Sequence, residues 1–181
     1  MRLAKSLTFV AATIVTSTWL VGPGASPAQA QIVRWRQVIG IIEKGNPVGV
    51  GAGQVTGGGQ PWSTTRGEAQ VNLGTGHLTF RVQGLVLAGG AGGAVVIGTP
   101  GPVTKVKGTL VCNVTGPGDS VLVDTPGVDL NARGDARFNG TVTIPAECTS
   151  GPADTAFLVR ALNGVWFANG AVRTIKMVDD D

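Results

Sequence analysis

The run Ser120-Val121-Leu122-Val123-Asp124-Thr125-Pro126-Gly127 ends an apolar strand in an aspartate followed closely by a glycine. A nucleotide hydrolase presents its magnesium-linked carboxylate beside a phosphate-sensing amide in the same way. That chemistry also needs a Gly-x-x-x-x-Gly-Lys-Ser/Thr loop, whose amides cradle the phosphates and whose lysine reaches the terminal ones. The chain contains neither Gly-Lys-Ser nor Gly-Lys-Thr, so the phosphate half of the site is missing. Asp124-Thr125-Pro126-Gly127 is therefore expected to be a turn, with Pro126 setting φ and Asp124 bonding to nearby backbone.

Other reactive residue types are sparse. His77 is the single histidine, so a Ser-His-Asp or Cys-His mechanism would rest on it alone, and a multi-histidine zinc or copper site is excluded. It follows Gly76 and reads as an exposed residue at the mouth of a turn. Asp119, Asp124, Asp129 and Asp135 recur every five or six residues, mostly beside Gly or Pro. That is a turn pattern. Two of them could form a loop calcium site, although EF-hand spacing is absent, and nothing marks any two as a glycosidase pair. Gly49-x-Gly51 is followed by Gln54 where a dinucleotide fingerprint needs its third glycine. Arg133-Gly134-Asp135 spells an adhesion tripeptide within a turn, and Asn113-Val114-Thr115 and Asn139-Gly140-Thr141 match the glycosylation pattern. No metal or other cofactor is implied, and no catalytic residue is assigned.

The elements that must position these residues are strands. Ala69, Val71 and Leu73 alternate with Glu68, Gln70 and Asn72, and Leu78, Phe80 and Val82 alternate with Thr79, Arg81 and Gln83, around a Gly74-Thr75-Gly76 turn. Period-two alternation about a glycine turn predicts a hairpin. The same pattern puts Val106, Leu110 and Cys112 inward with Lys105, Lys107 and Thr109 toward water. It puts Ala136, Phe138, Val142 and Ile144 opposite Arg137, Asn139, Thr141 and Thr143. Ile32 to Lys44 reads as a further strand with Trp35 inward. Ala156 to Ala171 reads as a hairpin turning on Asn163-Gly164, with a capped helix as the rival reading. The glycine-rich stretches, residues 49–62 and 84–102, cannot be stable helices; the second reads as a buried strand running into a mobile loop. With about eight or nine strands at roughly ten-residue spacing and no assigned helix, the expected fold is all-β, an antiparallel immunoglobulin-like β-sandwich, with a closed β-barrel as the alternative.

Arg2 and Lys5 precede an uncharged apolar stretch from Leu7 to Val21, and a Gly/Pro-rich segment ends in Ala28-Gln29-Ala30. Residues 1–30 thus read as a signal peptide cleaved before Gln31, which leaves residues 31–181 as one secreted domain, extracellular or held in the cell envelope. The apolar stretch falls short of the roughly 20 residues of a spanning helix, and no transmembrane segment is expected in the mature chain. Cleavage removes two of the 14 basic residues and none of the 11 acidic ones. The formal charge drops from +3 to +1, which does not support nucleic-acid binding. In an exported chain Cys112 and Cys148 are expected to form one disulfide. Closing a loop of about 37 residues contributes on the order of 4 kcal/mol by chain entropy.

Outward alternation also gathers Arg81, Lys105, Lys107 and Arg137 on strands of one sheet, where they would hold an anionic cell-envelope polymer through charge-assisted hydrogen bonds. The alternative is a solvated face with scattered charges. The leading functional reading is a secreted non-enzymatic structural or binding module at or outside the cell surface. The rivals are a small-molecule carrier, with its ligand between the sheets near Trp62 or Trp166, and an enzyme of unrecognised type.

Gly67-x-Ala69-x-Val71-x-Leu73 followed by Leu78-x-Phe80-x-Val82-x-Gly84-Leu85 resembles the strand pair of chordin-type repeats, over about 20 residues of alternation. The continuation from Val86 to Gly98 departs from that pattern, since it lacks the histidine-bearing segment of those repeats. The stretch from Lys107 to Ala171 is similar to a recurrent type of exported bacterial β-sandwich protein with no assigned activity. Both resemblances imply a secreted β domain, and the second a bacterial envelope or extracellular setting; neither implies a site. Intact-mass analysis of the exported protein is expected to show a chain beginning at Gln31, free or cyclised to pyroglutamate. Recovery of the uncleaved chain in membranes would contradict this.

Overall fold

The structure is a computed structural model and describes residues 31–90 and 96–177. The signal-peptide segment, part of the second glycine-rich stretch and the acidic C-terminal run lie outside the described residues. Thirteen strands form among the described residues. The first seven are β1 (Gln31–Gly40), β2 (Pro47–Val48), β3 (Val55–Thr56), β4 (Trp62–Ser63), β5 (Arg66–Asn72), β6 (His77–Gln83) and β7 (Val86–Leu87). The other six are β8 (Lys105–Cys112), β9 (Val121–Asp124), β10 (Val128–Asp129), β11 (Ala136–Thr141), β12 (Thr155–Ala161) and β13 (Trp166–Met177). A five-residue helix, α1 (Ala146–Ser150), precedes β12. The fold is all-β and antiparallel, as the alternation predicts.

One curled sheet runs in the order β10-β8-β12-β13-β1-β5-β6-β11, with β9 also paired to β8. Small two-stranded ladders, β2 with β3 and β4 with β7, lie outside it. The curl brings its two halves face to face. Phe157 of β12 meets Trp35 of β1 at 5.7 Å and Phe80 of β6 at 5.6 Å between ring centroids, both tilted, and all three side chains are buried. Tilted aromatic pairs at this range add about 0.5–1.5 kcal/mol each beyond the area they bury. Gly108 of β8 lies under this cluster, and a Cβ there would come within 2.7 Å of the Phe80 ring, so only glycine lets the two halves approach this closely.

The β5–β6 hairpin has the expected facing: Ala69, Val71, Leu78, Phe80 and Val82 are buried. The β12–β13 hairpin turns at Asn163-Gly164, with Gly164 at φ 112°, and the helical alternative is not formed. One facing differs from expectation. Thr109 is fully buried on β8, because the side chains of Asp124 and Arg160 cover the face on which it was expected to meet water. A second difference is α1, which the period-two pattern did not register. Pro145 in extended conformation precedes this helix, and Cys148 is its buried residue.

Cys112 and Cys148 are joined, with Cα atoms 4.9 Å apart. The bond links α1 to the end of β8. Among the described residues no helix is long and apolar enough to cross a membrane. The loop closed by the disulfide spans a sequence separation of 36, so Cys112→Ser is expected to lower unfolding free energy by about 2–4 kcal/mol in denaturant titration. Unchanged stability, or two freely alkylated thiols in the native protein, would contradict the role given to this bond.

Candidate functional site

β9 and β10 together form one edge of the curled sheet. Their registers against β8, Thr109↔Asp124 and Val106↔Val128, differ by one residue, so Thr125-Pro126-Gly127 holds one extra residue as a bulge. Thr125 donates its amide to Gly108 O at 2.8 Å, and its hydroxyl accepts from the Gly108 amide at 3.0 Å. The expected turn is thus a break within an edge strand. Asp124 also differs from expectation, since it bonds to side chains and not to nearby backbone.

Both oxygens of Asp124 are engaged. Oδ2 accepts from Lys107 Nζ at 2.6 Å, and Oδ1 accepts from Thr109 Oγ1 at 2.6 Å and Arg160 Nη1 at 3.2 Å. Arg160, on β12 and almost fully buried, donates its Nε to Gly164 O at 2.8 Å. This cluster joins β8, β9 and the β12–β13 turn, and it occupies the carboxylate that the nucleotide reading would assign to magnesium. Arg160 is a residue that sequence reasoning missed. Its signal is a lone charge inside the apolar run Phe157-Leu158-Val159-Arg160-Ala161. Burial pushes the Asp124 carboxyl up, but the hydrogen bonds from Lys107 and Thr109 and the charges of Arg160 and Lys107 outweigh it and hold the group below its ordinary value.

At the other edge, outward residues of β5, β6 and β11 line up in rows across the sheet. Glu68, Arg81 and Arg137 form one row, and Gln70, Thr79 and Asn139 the next. Arg34 of β1 donates to the Glu68 carboxylate at 2.9 Å, so Glu68 does not neutralise the two arginines. Among the described residues neither Arg81 nor Arg137 forms an ion pair. Lys105 and Lys107 are placed differently: Lys105 pairs with Asp129 at 2.6 Å and Lys107 with Asp124. Of the four cations singled out from sequence, the fold brings Arg81 and Arg137 side by side and gives each lysine a carboxylate.

The two edges nearly meet. β10 approaches β11, but no ladder joins them among the described residues, so the barrel alternative stops short of closure. The seam holds two clefts. One, of about 520 Å³, is lined by Arg81, Arg137, Gln83, Asp129, Asn131 and Asp135. The other, of about 500 Å³, lies between Val121–Pro126 and Thr141–Pro145. Both lie along the seam; two arginines and two aspartates line the first, and the second is mainly apolar.

Several sequence candidates have structural roles. His77 Nε2 lies 2.8 Å from Asn139 Oδ1 on the exposed face. Within Arg133-Gly134-Asp135, the Asp135 carboxylate accepts from the Gly84 amide and from Asn131 Nδ2, both at 3.2 Å, which holds the turn before β11. Asn113, at φ 58°, donates its side-chain amide to Pro117 O and Asp119 O. Asp119 accepts from the Ala52 amide at 3.0 Å. Trp166 is buried and donates Nε1 to Asn46 O at 2.9 Å. Trp62 is buried and stacks on Phe167 with centroids 4.3 Å apart. Among the described residues there is no group of three or more His, Cys, Asp or Glu side chains able to hold a metal ion.

No family model, curated protein or solved structure matches this chain.

Because Asp124 titrates below its ordinary value in the folded chain, its stabilising contribution is complete above the unfolded carboxylate value near 3.9 and is lost as pH falls through the lower folded value. Asp124→Asn is therefore expected to melt below the wild type at neutral pH, with the gap narrowing as pH falls below about 4. A gap independent of pH would show that the cluster does not act through the carboxylate charge.

Proposed function

We propose that this chain is a secreted, non-enzymatic binding module that holds an extended anionic cell-envelope polymer in the groove along the open seam. The reading rests on one observation: Arg81 and Arg137 stand directly opposite each other on β6 and β11, on the wall of a cleft, and neither forms an ion pair among the described residues. Like charges opposite one another destabilise a sheet, and a phosphate or carboxylate placed between two guanidiniums removes that cost through bidentate, charge-assisted hydrogen bonds. A linear ligand fits an elongated groove better than a compact one does. The exposed Asn131 and the half-buried Gln83 add adaptable hydrogen-bonding positions for polymer hydroxyls.

Export is part of the proposal. It is supported by the charged, apolar and Ala-x-Ala segments of residues 1–30 and by the Cys112–Cys148 bond, a bond that persists outside the reducing cytosol. The carrier alternative has less support. The apolar recess beside Trp62 and Phe167 measures about 210 Å³, whereas small-molecule sites usually span about 300–1,000 Å³.

The test is sedimentation of the protein with purified cell-wall polymer. The wild type is expected to bind at low salt and to release steeply as the screening length falls from about 10 Å at 0.1 M to 3 Å at 1 M. Arg81→Gln/Arg137→Gln is expected to lose binding at low salt. Lys44→Gln, which removes an exposed charge that lines neither cleft, is expected to retain it. Equal losses from Lys44→Gln and the double-arginine variant, or binding that persists in 1 M salt, would refute the arginine site.

A further inference from the structure

Arg81 and Arg137 border a third cleft as well as the one in the seam. It measures about 320 Å³ and lies over β1, β5, β6 and β11, where Arg34, Glu68, Gln70, Thr79 and Asn139 line it beside the two arginines. The registers of β5, β6 and β11 give each strand one residue in each of two rows. Glu68, Arg81 and Arg137 make the charged row, and Gln70, Thr79 and Asn139 the neutral one. At a rise of about 3.3 Å per residue the two rows stand about 6.7 Å apart, with neighbours inside a row about 4.8 Å apart.

The two rows ask for different chemistry. Arginines opposed across a ladder favour an anion between them. The neutral row consists of carboxamides and a hydroxyl, which both donate and accept. Gln70 and Thr79 are half-buried, and Asn139 spends its Oδ1 on His77 Nε2, which leaves its Nδ2 for another acceptor. A sugar hydroxyl, itself a donor and an acceptor, matches such groups. A phosphate or sulfate chain, which only accepts, leaves their acceptor oxygens unmatched.

From this we infer that the cleft is a sugar subsite: it takes one pyranose ring of an acidic glycan, with the carboxylate of that ring between Arg81 and Arg137 and its hydroxyls on Gln70, Thr79 and Asn139. The anion position is the one proposed above, on which this assignment rests; what it adds is the class of polymer, an acidic polysaccharide and not a polyphosphate backbone. The spacing of the two rows is about the span of one such ring with its substituents. A volume at the lower end of the roughly 300–1,000 Å³ of small-molecule sites suits a single ring. Since the arginines also line the seam cleft, the next unit of the glycan has that cleft to enter.

Calorimetric titration at low salt with three probes tests the subsite: a short oligomer of a hexuronic acid, a neutral oligomer of the corresponding hexose, and inorganic polyphosphate of matched charge. The wild type is expected to bind the oligouronate at least about tenfold more tightly than either of the others. Gln70→Ala/Thr79→Val removes two neutral hydrogen bonds and is expected to weaken the oligouronate about tenfold while leaving polyphosphate unchanged. Both positions face outward and valine keeps the β-branched shape at residue 79, so a melting temperature equal to wild type shows that the sheet is intact. Arg81→Gln/Arg137→Gln is expected to weaken both charged probes. An oligouronate that binds no more tightly than polyphosphate or the neutral oligomer would overturn the sugar subsite, as would a Gln70→Ala/Thr79→Val variant that keeps full affinity for it or loses both charged probes equally. Each of those results leaves the arginine site standing. Undiminished binding of both charged probes by the arginine variant would overturn the arginine site and the sugar subsite with it.

Discussion

Pro126 has no backbone N–H, and it sits where the sheet would otherwise close on itself. Thr125 gives its amide to Gly108 on β8, so by antiparallel alternation the next amide along should point away from β8, toward β11. That position is the proline. The ladder that would seal β9 and β10 to β11 loses a donor where the edge is already bulged, and proline is tolerated in sheets mainly at such places. What remains is a sheet curled until its edges approach, with its core completed by face-to-face packing of Phe157 on Trp35 and Phe80. The seam stays open as a groove.

An open seam leaves β9 and β10 held from one side only, and the Asp124 cluster supplies the missing constraint. A carboxylate that accepts from Lys107, Thr109 and Arg160 at once ties β9 to two strands through side chains where a second backbone ladder is lacking. Removing Asp124 leaves the nearly buried Arg160 guanidinium without its counter-charge, which costs more than an exposed pair contributes. The disulfide acts in the same direction at the far end of β8, pinning α1 there. The residues flanking the groove are thereby fixed, and the groove needs no closure event to form.

The strands that alternate cleanly were legible in the sequence because their facing is a local property. Ala69, Val71 and Leu73 on one side and Glu68, Gln70 and Asn72 on the other determine β5 without knowledge of its neighbours, and Asn163-Gly164 determines the β12–β13 turn through its own backbone preference. Thr109 could not be read this way. Its burial comes from Arg160, 51 residues away, and from Asp124 on an edge strand whose position depends on the topology. The Arg81–Arg137 contact has the same character: alternation makes both residues outward, but only the strand order β5-β6-β11 makes them neighbours. Helix α1 was hidden because five residues are too few to display a period. The exposure of β13 on both faces was hidden because Val172, Ile175 and Met177 carry the composition of a core strand.

Placement, and not the lack of an ion pair, sets Arg81 and Arg137 apart from the other cations. Residues 31–181 carry nearly equal numbers of basic and acidic residues. Among the described residues four cations form ion pairs: Arg34 with Glu68, Lys105 with Asp129, and Lys107 and Arg160 with Asp124, which they share. The exposed pairs Arg34–Glu68 and Lys105–Asp129 contribute little to stability individually, roughly 0–1 kcal/mol, so their placement says more about where charge is tolerated than about what holds the fold. Against that background Arg81 and Arg137 are opposed across a ladder, a placement that costs free energy in the absence of an anion. Glu68 is close enough in register to relieve Arg81, yet its carboxylate is committed to Arg34. An anion placed between the two guanidiniums would relieve that cost, which is the physical ground for proposing a ligand that brings its own negative charge; the second cleft farther along the seam is the ground for proposing an extended one.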